Sequence, residues 1–187
     1  MVVVIWFLAG ILLVVAVIVL RHYFASFSGQ RPSDYDHLGP EFDLRRHLGG
    51  PLQCDGVIYG PGGRITSRFT ADMTGSWDGA KGTLDQVFRY DNGERQERAW
   101  HLALDDEGRF RADAEDVIGT GRGAQSGPTV QLKYTIRLPK ESGGHILNVI
   151  DWMYLVDQTT IINRSQFRKY GIKVAELVAT IRPKDKT

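Results

Sequence analysis

Two regimes of patterning divide the chain. Residues 2–20 carry no charged or polar side chain, whereas from about residue 51 onward the sequence settles into a period of two. As a helix, the first run spans roughly 28 Å, close to the hydrocarbon thickness of a bilayer. It has no polar face to show water, so it does not read as a soluble core helix. No basic residue precedes it, unlike a cleaved signal peptide, and no cysteine near residue 20 offers a lipidation site. The predicted organisation is a transmembrane anchor over 1–22, a polar linker over 23–40, a β domain over 41–183 and a basic tail over 184–187.

The period-two pattern is the signature of half-buried strands. Between Ile65 and Trp77 the odd positions read Ile, Ser, Phe, Ala, Met, Gly, Trp, while the even ones are polar. Val130, Leu132, Tyr134, Ile136 and Leu138 alternate with Gln131, Lys133, Thr135 and Arg137. Leu84, Phe88 and Tyr90 share one parity, as do Trp100, Leu102 and Leu104. Turn pairs such as Asp78-Gly79, Asn92-Gly93 and Gly143-Gly144 punctuate these runs and supply the positive φ that tight hairpins need. The spacing predicts about nine or ten strands joined by short loops. No long helical pattern is bracketed by strands, which argues against a parallel sheet. So long a meander removes its exposed edges by closing, and the fold predicted is a single antiparallel up-and-down β-barrel behind an N-terminal transmembrane helix. A short helix over 41–48, with Phe42, Leu44 and Leu48 as its apolar positions, ends at Gly49-Gly50-Pro51.

Composition narrows the function. The 23 basic and 22 acidic residues leave a net charge of +1, so no bulk electrostatic case exists for nucleic acid. One cysteine excludes an internal disulfide framework and a cysteine-based zinc site. The five histidines lack metal-ligand spacing, so no metal is predicted, and no motif implies a cofactor. The glycines of 119–123 precede no helix and do not read as a phosphate loop. Seven basic residues between Arg164 and Lys186 form either a solvated edge or a contact for anionic lipid.

The most unusual stretch is Asp151-Trp152-Met153-Tyr154-Leu155, apolar on both parities. Such a strand packs on both faces, one toward the lumen and one toward another element. Asp151 then needs a polar partner, and Arg164 on the next strand is the expected one. Such a pair either fixes strand register or forms the polar floor of a ligand cavity, with Trp152 and Tyr154 as walls. Asp72 belongs to a second cluster with Trp77, whose ring is expected to close a hairpin end. Asp72 matters only if the polar side of its strand is the lumen, which parity alone does not decide. The candidate ligand-binding residues are therefore Asp72, Trp77, Trp100, Asp151, Trp152, Tyr154, Asn163 and Arg164.

Phe42-Asp43-Leu44 with Gly49 and Leu52, Gly75-Ser76-Trp77-Asp78-Gly79, Phe88-Arg89-Tyr90-Asp91-Asn92-Gly93, Trp100, Asp116-Val117-Ile118-Gly119, Asp151 to Leu155, Asn163-Arg164 and Lys169-Tyr170-Gly171 follow one another in this order. Together they resemble a bacterial envelope family known as domain of unknown function 3833. The resemblance covers about residues 40 to 183. It implies a lipocalin-like β fold behind a lipoprotein signal or an N-terminal anchor, and carries no catalytic residue. The arginines after the span (Arg21, Arg31, Arg45, Arg46) favour a cytoplasmic domain, whereas the family's exported character implies a periplasmic one on a single-pass inner-membrane anchor. The functional expectation is a barrel that contacts membrane lipid through residues 2–20 and binds a lipid or other apolar small molecule. A non-enzymatic envelope assembly module and a lipid-modifying enzyme with a site near Asp151 are the alternatives; the residues lean away from an enzyme.

Overall fold

The computed structural model describes residues 2–184. Helix α1 (Val2–Phe24) opens the chain, and its apolar side chains from Val2 to Leu20 are largely exposed. It is long and apolar enough to cross a membrane. A linker with two 3-10 turns (Phe27–Gly29 and Pro32–Asp34) leads to the four-residue helix α2 (Leu44–His47). Ten strands follow: β1 (Gly50–Tyr59), β2 (Ile65–Asp78), β3 (Lys81–Tyr90), β4 (Arg95–Leu104), β5 (Arg109–Asp113), β6 (Gly121–Ser126), β7 (Thr129–Arg137), β8 (Ile146–Leu155), β9 (Ile161–Lys169) and β10 (Ile172–Pro183).

Each strand pairs antiparallel with the next, and β10 returns to pair with β1, closing the barrel. The up-and-down topology read from the period of two is thus the one observed. Closure converts parity into location: one set of alternating side chains points into the lumen and the other outward. Leu52 and Cys54, Phe69, Ala71 and Met73, Leu84, Trp100 and Leu102, and Val130, Leu132, Tyr134 and Ile136 are all buried and belong to one core. The glycines of the hairpins take up the tight reversals, as Gly93 does at φ +87° between β3 and β4.

Helix α2 plugs one end of the barrel. Asp43 caps it, accepting from the Arg45 N–H at 2.9 Å, and Phe42, Leu44 and Leu48 bury their side chains in the core. The plug presses so closely on β2 that a Cβ at Gly75 would stand 1.6 Å from the Leu48 carbonyl oxygen. The linker does not hang free either. Its Phe27 is buried, and its Tyr35 and Leu38 carbonyls crowd against Gly127 in the β6–β7 turn. Of the tail expected over 184–187, Lys184 lies on the outside of the barrel, its backbone N–H donating to the Pro51 carbonyl. Residues 185–187 lie outside the described residues.

The meander is incomplete on one side. β5 pairs with β4 only over His101–Leu104, and β6 pairs with β7 only over Thr129–Lys133. The other half of β4, residues 95–100, has no strand on that flank. The irregular segment 114–120 crosses there instead, bonded to β7 through the Val117–Ile136 bridge and its two flanking bonds, Ile118 N–H to the Thr135 carbonyl and Arg137 N–H to the Asp116 carbonyl. A window in the wall results, between β4 and this segment.

Gly75→Ala is expected to lower stability by about 1–3 kcal/mol, because the methyl group must push the plug off the barrel end. Gly62→Ala, with nothing within 4 Å of the added Cβ, serves as the control. Urea unfolding of the full chain in mild detergent measures both, and equal midpoints would contradict the seating of α2.

Candidate functional site

The lumen contains a void of about 80 Å³, with Leu48 of the plug, Met73, Trp100, Leu102, Leu132 and Met153 among its apolar lining. Three polar side chains break that lining: Gln86, Asp151 and Asn163. β8 delivers Asp151 inward because it shares the parity of Leu147, Val149, Met153 and Leu155. The next strand, β9, supplies its partners. Asn163 Nδ2 donates to Asp151 Oδ1 at 2.5 Å, and Ser165 Oγ donates to the same oxygen at 2.7 Å. Burial pushes the Asp151 carboxyl above its ordinary value of 3.8, against the pull of Ser165, Asn163 and the Arg98 charge. The neighbouring Cys54 thiol, also buried, is pushed up to about 12 and is inert as a nucleophile.

The window holds a second polar group. Arg98 has the inward parity of Trp100 and Leu102, and its guanidinium carbon stands 4.3 Å from the Trp100 ring centroid and 5.7 Å from that of Tyr134. Across the window, Arg98 Nε donates to Asp116 Oδ1 at 3.1 Å, and Nη2 lies 2.9 Å from the same atom. The two side chains keep only 15% and 23% of their surface exposed. Outside this pair lies a surface cleft of about 870 Å³, whose lining mixes Val87, Ile118 and Leu138 with the carboxylates of Asp85, Glu97 and Glu115 and the cations of Arg137 and Lys140, and includes Gln86 and Arg98. Gln86 belongs to the linings of both the cleft and the luminal void, so its side chain stands between the two spaces. Its Nε2 reaches the Met73 sulfur at 3.7 Å, while its Oε1 is buried without a hydrogen-bond partner.

The structure brings together three of the residues singled out from sequence. Trp100, Asp151 and Asn163 line the void. The others lie elsewhere. Arg164 does not partner Asp151: opposite parity turns it outward, where its Nε bonds Glu176 Oε1 at 2.6 Å and its guanidinium covers the Phe27 ring. Asp72 is also on the outer face, between Arg89 and Lys184 at 2.7 and 2.5 Å, and these two cations hold its carboxyl below the usual range. Trp77 stacks on Gly82 at the plugged end, its Nε1 directed at the Leu48 carbonyl 3.4 Å away.

Trp152 and Tyr154 are not cavity walls. They face out of the barrel, and the linker lies over them. Tyr35 meets Trp152 edge-on at 5.5 Å, Trp152 and Tyr154 stack at 5.9 Å, and both tyrosine hydroxyls donate to Gln30 Oε1. The second apolar face of β8 is therefore satisfied by the linker, which was read from sequence as a polar spacer. Burial under it raises the Tyr154 hydroxyl to about 12.

Arg98, Gln86, Asp116 and Ser165 escaped the sequence reading. A signal for three of them was present. Gln86 lies between Leu84 and Phe88 on the inward parity, Arg98 precedes Trp100 on it, and Ser165 follows Asn163. A polar residue in an inward-facing row is a luminal polar group. Among the described residues no group of three or more His, Cys, Asp or Glu is placed to hold a metal ion.

The profile of the protein family of unknown function DUF3833 matches residues 21–183. No curated protein matches the chain in sequence. Solved structures share its barrel. An S-type phycobiliprotein lyase, CPES, from Guillardia theta superposes with a TM-score of 0.55 at 11% identity, over 75% of this chain and 90% of its own. Rv2717c from M. tuberculosis does so at 0.56 and 15% identity, over 79% and 99%. A DUF3598 family protein of unknown function from Nostoc punctiforme PCC 73102 follows at 0.54 and 10% identity, over 78% of this chain and 51% of its own.

The raised Asp151 pKa sets a pH dependence. The folded chain holds this proton more tightly than the unfolded one, so the stability it contributes is complete below about pH 4 and is lost as pH rises through the folded pKa. Asp151→Asn keeps an acceptor for Asn163 and Ser165 but removes the ionisation. The variant is expected to gain on wild type by about 1.4 kcal/mol for each pH unit across that window. Urea midpoints of the two chains at a series of pH values test this, and parallel profiles would refute it.

Proposed function

The chain belongs to the DUF3833 family, and we propose that it is a membrane-tethered β-barrel that binds a lipid or another small apolar or amphipathic molecule. The observation that carries this reading is the luminal void with its polar wall, with only the Gln86 side chain shared between its lining and that of a large surface cleft. Apolar enclosure with a few convergent polar groups is the common form of a small-molecule site. At about 80 Å³ the void takes a group of a few carbons, since one water occupies about 30 Å³ in the liquid. The remainder of a longer ligand lies in the cleft. The barrel's likeness to a phycobiliprotein lyase extends, at 11% identity, to the fold alone, so the reading rests on the void.

Helix α1 and the short distance to the first docked residue support tethering. The helix ends at Phe24 and Phe27 is already buried against the barrel, which keeps the domain beside the bilayer surface. In a bacterial cell this reading puts the barrel on the periplasmic side of the inner membrane. A C-terminal alkaline phosphatase fusion, which needs export to form its disulfides, is expected to be active. An inactive but stable fusion would place the barrel in the cytoplasm instead.

Trp100 provides a direct test of binding. Bromohexanol added to the full chain in amphipol is expected to quench a saturable part of the tryptophan emission, and Trp100→Phe to remove that part. Quenching that never saturates, or that persists in the variant, would sink the proposal.

A further inference from the structure

We infer that the window is the ligand's way in, and that Arg98 binds the anionic group of an amphipathic carboxylate or phosphate, displacing Asp116. This inference rests on the ligand-binding reading and gives it a substrate class.

Four observations converge on it. Arg98 stands between cleft and void: it lines the cleft and covers the face of Trp100, which lines the void. The guanidinium is largely buried there, its side chain only 15% exposed. The counter-ion comes from outside the ten strands. Asp116 belongs to the irregular segment 114–120, which is held to β7 by the Val117–Ile136 bridge and its two flanking backbone bonds, one of them from the Arg137 N–H to the Asp116 carbonyl, and has no strand pairing with β4. Finally, the pairing is incomplete. Arg98 Nε is hydrogen-bonded to Asp116 Oδ1, but Nη2, though close to the same oxygen, is misaligned and makes no hydrogen bond.

A planar guanidinium binds a carboxylate or phosphate best through two parallel N–H groups. Asp116 offers Arg98 one oxygen for both nitrogens. An incoming anion that presents two oxygens gains the bond that Asp116 leaves unmade. Behind the guanidinium, Trp100 and Tyr134 hold it by cation–π contact, so it is pre-oriented and little side-chain entropy remains to be lost on binding. Past Arg98, the buried Gln86 Oε1 lacks a donor and the rest of the lining is mostly apolar. An apolar or hydrogen-donating end is therefore what enters the void. The ligand so defined has one anionic group at the window and a short or tapering apolar part inside.

Bromohexanoate and bromohexanol, titrated at neutral pH into the full chain in amphipol with Trp100 quenching as the readout, separate this inference from the reading beneath it. The anion is expected to bind about tenfold or more tightly than the alcohol, the worth of one charged hydrogen bond. Arg98→Met is expected to abolish that preference. Asp116→Asn removes the competing charge and is expected to enlarge it several-fold, which keeps the test decisive if Arg98→Met fails to fold. Competition by hexanoate against hexyl phosphate ranks the two anion classes. Alcohol binding with no preference for the anion, or a preference unmoved by Asp116→Asn, would overturn the inference while leaving the ligand site standing. Saturable binding of neither probe would overturn both.

Discussion

Closure of the sheet is the constraint from which the rest of this structure follows. Once β10 pairs with β1, no strand edge is left open along that seam and every side chain is committed to the inside or the outside. A shift of one residue in any strand would exchange its two rows, putting Arg89, Arg95 or Arg137 into the lumen. The interior row is therefore apolar almost throughout, from Leu52 and Phe69 to Val149 and Ile181, and its exceptions are costly enough to be informative. Arg98, Gln86, Asp151, Asn163 and Ser165 are among those exceptions and fall on neighbouring parts of the lumen and its window, whereas Gln125 accepts from the Leu44 N–H of the plug.

The contrast with the outer charges shows how location sets the weight of an ion pair. Arg68 with Asp91, Arg95 with Glu97 and Asp72 with Lys184 are bathed by solvent, and pairs of this kind contribute little to stability. Even Glu176, which burial pushes upward, ends below the usual carboxylate range because Lys173 and Arg164 hold its charge from the surface. Asp151 has neutral donors instead of a cation, so burial wins there and its pKa rises. The same residue type takes opposite behaviour on the two sides of one wall.

The segments before the barrel complete it. Helix α2 seals one end, and the linker covers the outer apolar patch of Trp152 and Tyr154 that β8 and its neighbours leave. Gln30 accepts from two tyrosine hydroxyls, and its own amide nitrogen donates to the Phe27 carbonyl, whereas the buried Trp152 Nε1 is left without a partner. The linker is consequently part of the folded unit.

Much of this was legible in local pattern. Strand alternation depends only on nearest neighbours, so the ten-strand meander, its hairpins and the short helix before β1 could be read from residue order, as could the two-faced burial of Asp151 to Leu155. The inward rows were legible as well, and they held Gln86 and Arg98 in plain view between Leu84 and Phe88 and beside Trp100. Partnership was not legible. Asp151 finds Asn163 and Ser165 rather than Arg164 because adjacent residues on β9 point to opposite sides, and only the β8–β9 register decides which of them meets it. Nor does residue order reveal that β5 and β6 stop short, that a window opens there, or that Asp116 comes to lie across it from Arg98. The chain's alternation determined that a barrel would form and which side chains it would enclose. Where the wall is thin, how much space stays unfilled and which charges face one another are consequences of strand length and three-dimensional closure, since they depend on contacts between residues far apart along the chain.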